Sequence, residues 1–218
     1  MFGAFLKKVP RHLVTVFRGK NILYHFSAAA LTYVFVVSGL DWSFYETTRS
    51  PAFHVLITVS GIGGFFIPVL VPIGMFVAGE LRKKASLIEA GVVSIQSAIV
   101  AWIVSSFYKA LTGRIGPEFL APVAGLDTSH DFNFGFWENG IFWGWPSSHT
   151  AVACAFAASL IILFGHNKMV RYGAVLYAVF IGVGAAIGFH WLSDVLAGAV
   201  IGTLVGILVT RESRRSVR

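Results

Sequence analysis

Two clusters of polar residues in an otherwise apolar chain have the types and the spacing that phosphate chemistry needs. The first is the run Pro146-Ser147-Ser148-His149, and the second is His190 with Asp194 four residues later. A proline-led turn that opens a helix offers unpaired backbone N–H groups and the positive end of the helix dipole, and both favour a phosphate. Ser147 and Ser148 add hydroxyl donors, and His149 is placed to protonate a leaving oxygen.

His190 and Asp194 are one helical turn apart, so their side chains share a helix face. The carboxylate can then accept the imidazole Nδ1–H and leave Nε2 free as a base or nucleophile. The two clusters together predict a nucleophile in His190, an orienting carboxylate in Asp194 and a general acid in His149.

The composition places these clusters in a membrane. The chain has 218 residues, of which 56% are hydrophobic and 12% charged, and its mean hydropathy is +0.75. A soluble globular protein has roughly 25% charged residues. We predict an all-α integral membrane protein with one domain over residues 1–218, built as a bundle of six transmembrane helices. The predicted spans are Ile22–Leu40, Phe53–Gly79, Ala85–Leu111, Thr150–Phe164, Tyr172–Gly188 and Trp191–Val209.

Two spans depart from the usual length. The fourth is short, and extending it back through Ser148 lengthens it, whereas the second is long and contains Pro68 and Pro72, which allow a kink or a break. The basic N-terminal residues precede no compact apolar stretch with a cleavage site, so we expect no removable signal peptide. Cys154 is the only cysteine, which excludes an intrachain disulfide.

The basic residues are divided unevenly between the two sides of the predicted membrane. Fourteen of the seventeen Lys and Arg residues fall on one side, and only Arg49, Lys109 and Arg114 fall on the other. Cytoplasmic segments carry the excess of Lys and Arg, so we expect both termini in the cytoplasm of a multi-pass protein of the plasma (inner) membrane. The net charge of +7 then comes mainly from the Lys and Arg residues that set the orientation of the protein in the membrane, and we predict no nucleic-acid partner.

With this orientation every candidate site residue lies at the outer face. Lys109 and Arg114 follow the third span, Ser147 to His149 open the fourth, and His190 with Asp194 begin the sixth. The loop between the third and fourth spans is the only long one, and we predict an interfacial helix or hairpin within it. Its aromatic residues are Phe132, Phe134, Phe136, Trp137, Phe142, Trp143 and Trp145.

The motifs K-A-L-T-G-R-I-G-P, G-W-P-S-S-H-T and G-F-H-W-L-S-D-V-L-A-G, which span residues 109–198, resemble those of the type 2 phosphatidic acid phosphatase superfamily. This superfamily comprises metal-independent membrane lipid phosphatases related to bacterial acid phosphatases and vanadium haloperoxidases. Its pattern is a Lys followed after six residues by Arg-Pro, then Pro-Ser-Gly-His, then Ser-Arg, five residues, His, three residues and Asp.

The chain departs from this pattern at both phosphate-binding arginines. Gly116 occupies the arginine position of the first motif, and Gly184 occupies that of the third. Ser148 replaces the glycine of the second motif. Arg114 belongs to a T-G-R stretch that many members share, so we predict that it substitutes for the missing arginines and, with Lys109, supplies charge to the transition state.

The resemblance also implies roles for the matching residues. His190 is expected to form a phosphohistidine, Asp194 to orient it, and His149 to protonate the leaving group and later activate water. The resemblance implies neither a metal nor another cofactor, and the sequence shows no carboxylate or Cys/His set with the spacing of a metal site.

The function predicted from these observations is hydrolysis of a lipid-linked phosphate or pyrophosphate at the outer leaflet. Undecaprenyl pyrophosphate, phosphatidylglycerophosphate, phosphatidic acid and lipid A phosphates all fit, and the oligomeric state is left open. The alternatives are a lipid-to-lipid phosphotransferase and a non-catalytic lipid-binding or scaffold member. Alternatives also exist for single residues. Ser147 and Ser148 could be plain helix caps, and Lys109 could be an interfacial lysine that extends its ammonium group to the membrane surface.

Overall fold

The computed structural model describes residues 2–117 and 126–215, and describes the side chains from residue 8 onward. Within these ranges the chain forms eight α-helices and no strand, which confirms the all-α prediction. The helices are α1 Phe2–Val16, α2 Ile22–Val37, α3 Leu40–Thr48, α4 His54–Leu81, α5 Ala85–Thr112, α6 Ser148–Phe164, α7 Lys168–Gly188 and α8 Leu192–Arg215.

Four of these helices are long and apolar enough to cross a membrane, namely α4, which the short helical turn Pro51–Phe53 extends, and α5, α7 and α8. The pair α2 and α3 makes a fifth candidate if both helices belong to one bent span. The helix α6 is apolar but has only 17 residues. The protein is therefore a multi-pass membrane protein, and the count of six spans stays a prediction.

The first predicted span is divided in the structure. The helix α2 ends at Val37, Gly39 follows with φ of 69°, and α3 continues at an angle of 70° to α2. Glycine adopts this left-handed backbone without the steric cost that a Cβ atom brings, so Gly39 favours the turn. The bend places Asp41, in the first turn of α3, in the protein interior with no exposed surface.

The basic N-terminal segment forms the helix α1, which the sequence analysis did not predict. It packs against α5 and α8. Nδ1 of His12 lies 2.9 Å from Oε2 of Glu212 near the end of α8, and Arg11 pairs with the other oxygen of the same carboxylate. These contacts join the N-terminal helix to the last helix at the end of the bundle away from the polar clusters.

The helices α6 and α8 run parallel and approach closely because of three glycines of α8. Gly198, Gly202 and Gly206 recur at four-residue intervals, and a Cβ atom at each would collide with the backbone of α6. The carbonyl oxygens that they face belong to Ser147, Ala151 and Ala155, respectively. Small residues at such spacing allow helices in membranes to pack backbone to backbone. The N-termini of α6 and α8, which carry the two polar clusters, are thereby held side by side.

This close approach makes a first prediction. Gly202→Ala adds a methyl group where the backbone of Ala151 already lies, so we expect it to destabilise the fold by about 1–3 kcal/mol, as overpacking does. Thermal unfolding in detergent measures the effect. The control is Gly173→Ala on α7, where the added methyl group meets nothing within 4 Å. Equal melting temperatures for the two variants would contradict the packing described for α6 and α8.

Candidate active site

His190 and Asp194 are in contact, as their spacing predicts, but they do not share a helix face, because His190 lies in the turn between α7 and α8 and Asp194 lies in α8. Nδ1 of His190 is 3.2 Å from Oδ2 of Asp194, and the backbone N–H of Trp191 donates to the same oxygen over 3.3 Å. Asp194 is the third residue of α8, so its carboxylate also caps the helix that carries it. This cap and the imidazole bond together hold one carboxylate oxygen against the histidine.

The environment of His190 favours the neutral imidazole. The side chain is 3% exposed, and burial is the main cause that lowers its pKa below the ordinary histidine value. The charge of Lys109 lowers the pKa further, whereas the hydrogen bond to Asp194 raises it. With Nδ1 turned toward Asp194 and no acceptor or donor for Nε2 among the described residues, Nε2 has a free lone pair.

The Pro-Ser-Ser-His run forms the N-terminus of α6. Ser147 is the N-cap, and its hydroxyl oxygen accepts the N–H of Thr150 over 3.4 Å. Its own backbone N–H donates to the carbonyl oxygen of Asp194 over 3.0 Å, which ties the two clusters together. The backbone N–H groups of Ser148 and His149 have no acceptor in the described part of the chain. They remain available to an anion at the positive end of the helix dipole.

The two serines of the run therefore differ. Ser147 is fully buried and acts as the helix cap, which was the alternative reading of its sequence position. Ser148 is partly exposed, and its hydroxyl forms a hydrogen bond of 2.9 Å with the hydroxyl of Ser105, which also lies 3.0 Å from the carbonyl oxygen of Trp102.

His149 lies beside His190, at the start of α6. Its ring packs edge-on against Phe189 with 5.0 Å between ring centroids, and it interacts electrostatically with both His190 and Lys109. Gly64 of α4 makes room for it, since a Cβ atom there would lie 3.0 Å from Cδ2 of His149. No described residue forms a hydrogen bond with the His149 ring, so both ring nitrogens are available for proton transfer.

Lys109 points inward from the last turn of α5. Its side chain is 1% exposed, and Nζ donates to the carbonyl oxygen of Phe142 over 3.0 Å. A lysine that snorkels to the membrane surface would expose its ammonium group, so this burial does not fit that alternative. The ammonium has three donors and one described acceptor, and it interacts electrostatically with Asp194. Two of its N–H groups can bind a phosphate oxygen.

Arg114 follows α5 after Gly113, which ends the helix with φ of 50°. Its guanidinium is fully buried, and its five N–H donors all have protein acceptors. Nε and Nη2 donate to the carbonyl oxygen of Ser129, Nη2 also donates to Asp41, and Nη1 donates to Ser193 and Asp194. The sequence predicts a direct phosphate contact, which stays a prediction and requires that one of these acceptors be displaced.

Asp41 and Ser193 are the residues of this cluster that sequence reasoning missed. Arg114 forms ion pairs with Asp41 and Asp194, and all three side chains have no exposed surface. The available signal was an acidic residue directly after an apolar segment, because ionisable groups at membrane depth are costly and need a partner. Nothing in the local pattern identified Arg114 as that partner.

The two positions that lack the family arginines have different surroundings. A Cβ atom at Gly184 would collide with Ser60 of α4, so no side chain fits there without moving that helix. A Cβ atom at Gly116 would make only an ordinary contact, 3.6 Å from the carbonyl oxygen of Phe189. A Cβ atom can therefore be accommodated at position 116 but not at position 184.

The loop between α5 and α6 covers this end of the bundle. Residues 118–125 of the loop lie outside the described residues, and the described remainder contains turns and bends without a helix. Five of its aromatic side chains are exposed, namely Phe134, Phe136, Trp137, Phe142 and Trp143. Trp145 is buried, and the ring of Phe132 lies 4.9 Å from the guanidinium carbon of Arg114. The interfacial segment stays a prediction.

The partners of Arg114 make the second prediction. Arg114→Ala leaves two buried carboxylates without their cation, and breaking a buried ion pair in this way typically costs about 3–5 kcal/mol. We expect a lower melting temperature in detergent, with partial recovery in Arg114→Lys because an ammonium replaces the charge but not the planar fork. The control is Arg82→Ala at an exposed position. A melting temperature of Arg114→Ala equal to that of the control would contradict a structural role for Arg114.

Comparisons with known proteins agree with the motifs and the fold. A search of curated proteins gave no match. Among solved structures, the fold is similar to the crystal structure of the first transmembrane PAP2 type phosphatidylglycerolphosphate phosphatase from Bacillus subtilis, with a TM-score of 0.59 and 21% sequence identity over 90% of this chain and 96% of that chain. The family model of the PAP2 superfamily matches residues 90–218, which is more than half of the sequence. The chain therefore belongs to the PAP2 superfamily.

Proposed function

We propose that the protein is a metal-independent phosphatase that hydrolyses a lipid-linked phosphate or pyrophosphate through a phosphohistidine. The observation that carries the proposal is the grouping of unsatisfied polar groups at the N-termini of α6 and α8. Nε2 of His190, the ring of His149, two N–H groups of Lys109 and the backbone N–H groups of Ser148 and His149 lack partners among the described residues. A set of unpaired donors at a helix N-terminus, together with a cation and a free imidazole nitrogen, is suited to bind and attack a phosphate.

In the first step of the proposed mechanism, the lone pair of Nε2 on His190 attacks phosphorus. The bond from phosphorus to the leaving oxygen breaks, and His149 transfers its proton to that oxygen. The negative charge of the bound phosphate favours the protonated form of His149 that this step requires. Lys109 and the N-terminus of α6 stabilise the charge on the other phosphate oxygens.

In the second step, water attacks the phosphorus of the phosphohistidine. His149, now neutral, accepts a proton from this water, and the bond between phosphorus and Nε2 breaks. Inorganic phosphate leaves, and His190 returns to its neutral form with Nδ1–H still directed at Asp194. The protein thus returns to its starting state, with His149 protonated and His190 neutral, and the net reaction is hydrolysis of one phosphate ester or anhydride bond.

The lipid part of the proposed substrate follows from the membrane setting. We place the site at the outer leaflet of the plasma membrane, in a six-span protein with cytoplasmic termini, because fourteen of the seventeen Lys and Arg residues fall on the opposite side. The exposed aromatic residues of the loop are of the type that lies at a membrane interface. A headgroup phosphate can then reach the site while the lipid tail remains among the helices. The candidates are undecaprenyl pyrophosphate, phosphatidylglycerophosphate, phosphatidic acid and lipid A phosphates.

The third prediction tests the phosphatase and its two histidines. Purified protein in detergent, with excess chelator, should release phosphate from at least one of these lipids. His190→Ala should abolish both turnover and the covalent phosphoenzyme. His149→Ala should lose on the order of 10²–10⁴ in rate with an ordinary alcohol leaving group. A substrate with a good leaving group should restore phosphorylation in His149→Ala only, because that leaving group needs no proton.

The exposed His166→Ala variant is the control and should keep the parent rate. Equal rescue of the two active-site variants would reject the assignment of nucleophile and acid. Loss of activity in chelator that a divalent ion restores would reject the metal-independent mechanism. Transfer of phosphate to a second lipid in place of water would identify a phosphotransferase.

The fourth prediction distinguishes an active enzyme whose site has little positive charge from a non-catalytic family member. The loss of both family arginines favours the non-catalytic alternative. A Cβ atom at position 116 makes only an ordinary contact with the carbonyl oxygen of Phe189, the neighbour of His190, so Gly116→Arg should raise kcat/KM by adding a cation near the transferred phosphate. Gly116→Gln supplies a side chain of similar reach without charge and should not. No gain from arginine in a parent that releases no phosphate from any lipid would support the scaffold function.

A further inference from the structure

We infer that Asp41 is a positioning residue of the active site, which acts on His190 through Arg114 and Asp194. This inference rests on the proposed function of His190 as nucleophile. Asp41 belongs to α3, outside the residues 90–218 that match the family model. Its assignment comes from an unbroken series of buried contacts and from no motif.

The series begins at the carboxylate of Asp194, which is held at both oxygens. Oδ2 faces Nδ1 of His190 and the backbone N–H of Trp191, and Oδ1 accepts from Nη1 of Arg114. The carboxylate therefore cannot rotate without breaking either its ion pair with Arg114 or its contacts at Oδ2. The direction of the His190 ring depends on that rotation, because Nδ1 is bonded to Oδ2.

Arg114 is fixed in turn by Asp41. Nη2 donates to Oδ2 of Asp41 over 2.7 Å, whereas Nη1 donates to Asp194. The planar guanidinium with its delocalised charge bridges the two carboxylates. Removal of the Asp41 charge would leave Arg114 with one anion in place of two, so the guanidinium would be held less firmly beside Asp194 even with its bonds to Ser129 and Ser193.

Asp41 also holds the N-terminal turn of α8 directly. Its Oδ1 accepts the backbone N–H of Ser193 over 2.8 Å, and its Oδ2 accepts the Ser193 hydroxyl over 2.6 Å. An N–H group in the first turn of a helix has no intrahelical acceptor, so Asp41 serves as a cap from another helix. Asp41 thus fixes the helix turn that carries Asp194 as well as the cation that binds Asp194.

The bend after α2 explains how Asp41 reaches this position. The change of direction by 70° at Gly39 turns α3 into the bundle, where it packs against α8. The division of the first predicted span is therefore coupled to the geometry of the active site.

The experiment compares Asp41→Asn with Glu46→Gln, which removes one exposed negative charge from the same helix. Asparagine keeps an acceptor for the Ser193 N–H but removes the charge that holds Arg114. We expect kcat to fall on the order of 10²-fold, the cost of a nucleophile displaced by about 1 Å, with KM nearly unchanged. Glu46→Gln should keep the parent kcat. An unchanged kcat in Asp41→Asn would overturn the inference.

A double-mutant cycle separates positioning through Asp194 from general destabilisation. If Asp41 acts through Asp194, Asp41→Asn should lower kcat far less in the Asp194→Asn background than in the parent protein, because the connection from Asp41 to His190 is already interrupted at Asp194. Fully additive losses would overturn the inference. Should Asp41→Asn fail to fold, Ser193→Ala removes one contact of the same network, and its effect on kcat should be smaller but equally non-additive with Asp194→Asn.

A measurement without substrate makes the inference testable apart from the proposed function. The Nδ1–H of His190, hydrogen-bonded to Asp194, should give a low-field resonance in the NMR spectrum of protein with isotope-labelled histidine, assigned by its loss in His190→Ala. Asp41→Asn should shift or abolish this resonance, and Glu46→Gln should leave it in place. A changed resonance in Asp41→Asn, in a protein that hydrolyses no lipid phosphate, would refute the phosphatase function but support the positioning of His190 by Asp41 through Arg114 and Asp194. An unchanged resonance in Asp41→Asn would refute this positioning role of Asp41 even in an active phosphatase.

Discussion

The structure depends on one buried cation. Arg114 has no exposed surface and lies between the carboxylates of Asp41 and Asp194, which are also fully buried. A charge removed from water in this way is tolerated only when its partners and hydrogen bonds are complete, and here all five donors of the guanidinium have acceptors. The three charges come from α3, from the segment after α5 and from α8. Their mutual requirement fixes these elements relative to one another at the end of the bundle where His190 lies.

The close packing of α6 and α8 supplies the second constraint. Because glycines of α8 face the α6 backbone, the two helices run side by side in the same direction, and both N-termini reach the same site. One positive helix end is occupied by the protein's own carboxylates, through the Asp194 contact to Trp191 and the Asp41 contact to Ser193. The other, at Ser148, has free N–H groups. The free N–H groups of α6 are therefore the ones available to an anion, as the proposed function requires, whereas those of Trp191 and Ser193 at the start of α8 already have acceptors.

The sequence predicted the parts of the site that local spacing determines. The contact between His190 and Asp194 was expected from their four-residue spacing, although it is made by a carboxylate that reaches back from the first turn of α8 to a residue before the helix. Ser147 opens a helix because its type and position are those of a cap. The bend at Gly39 and the burial of Asp41 could not be predicted in the same way, because they depend on contacts between residues far apart in the chain. Arg114 shows the same limit, since its motif places it beside the site but only the tertiary structure decides which acceptors its guanidinium meets.

The absence of the two family arginines concerns the space available at each position as well as the positive charge of the site. The collision of any side chain at Gly184 with Ser60 means that α4 and α7 pack where an arginine stem would lie, so this loss is built into the helix packing. Gly116 shows no such obstacle. Lys109 is the cation of the candidate site with free donors among the described residues, and Arg114 has its charge balanced by two carboxylates. Under the proposed mechanism, the transition-state charge is met mainly by one ammonium group and the N-terminus of α6. In such a site we expect the position of His190, and hence of Asp194 and Asp41, to influence the rate more than in a site with additional arginines.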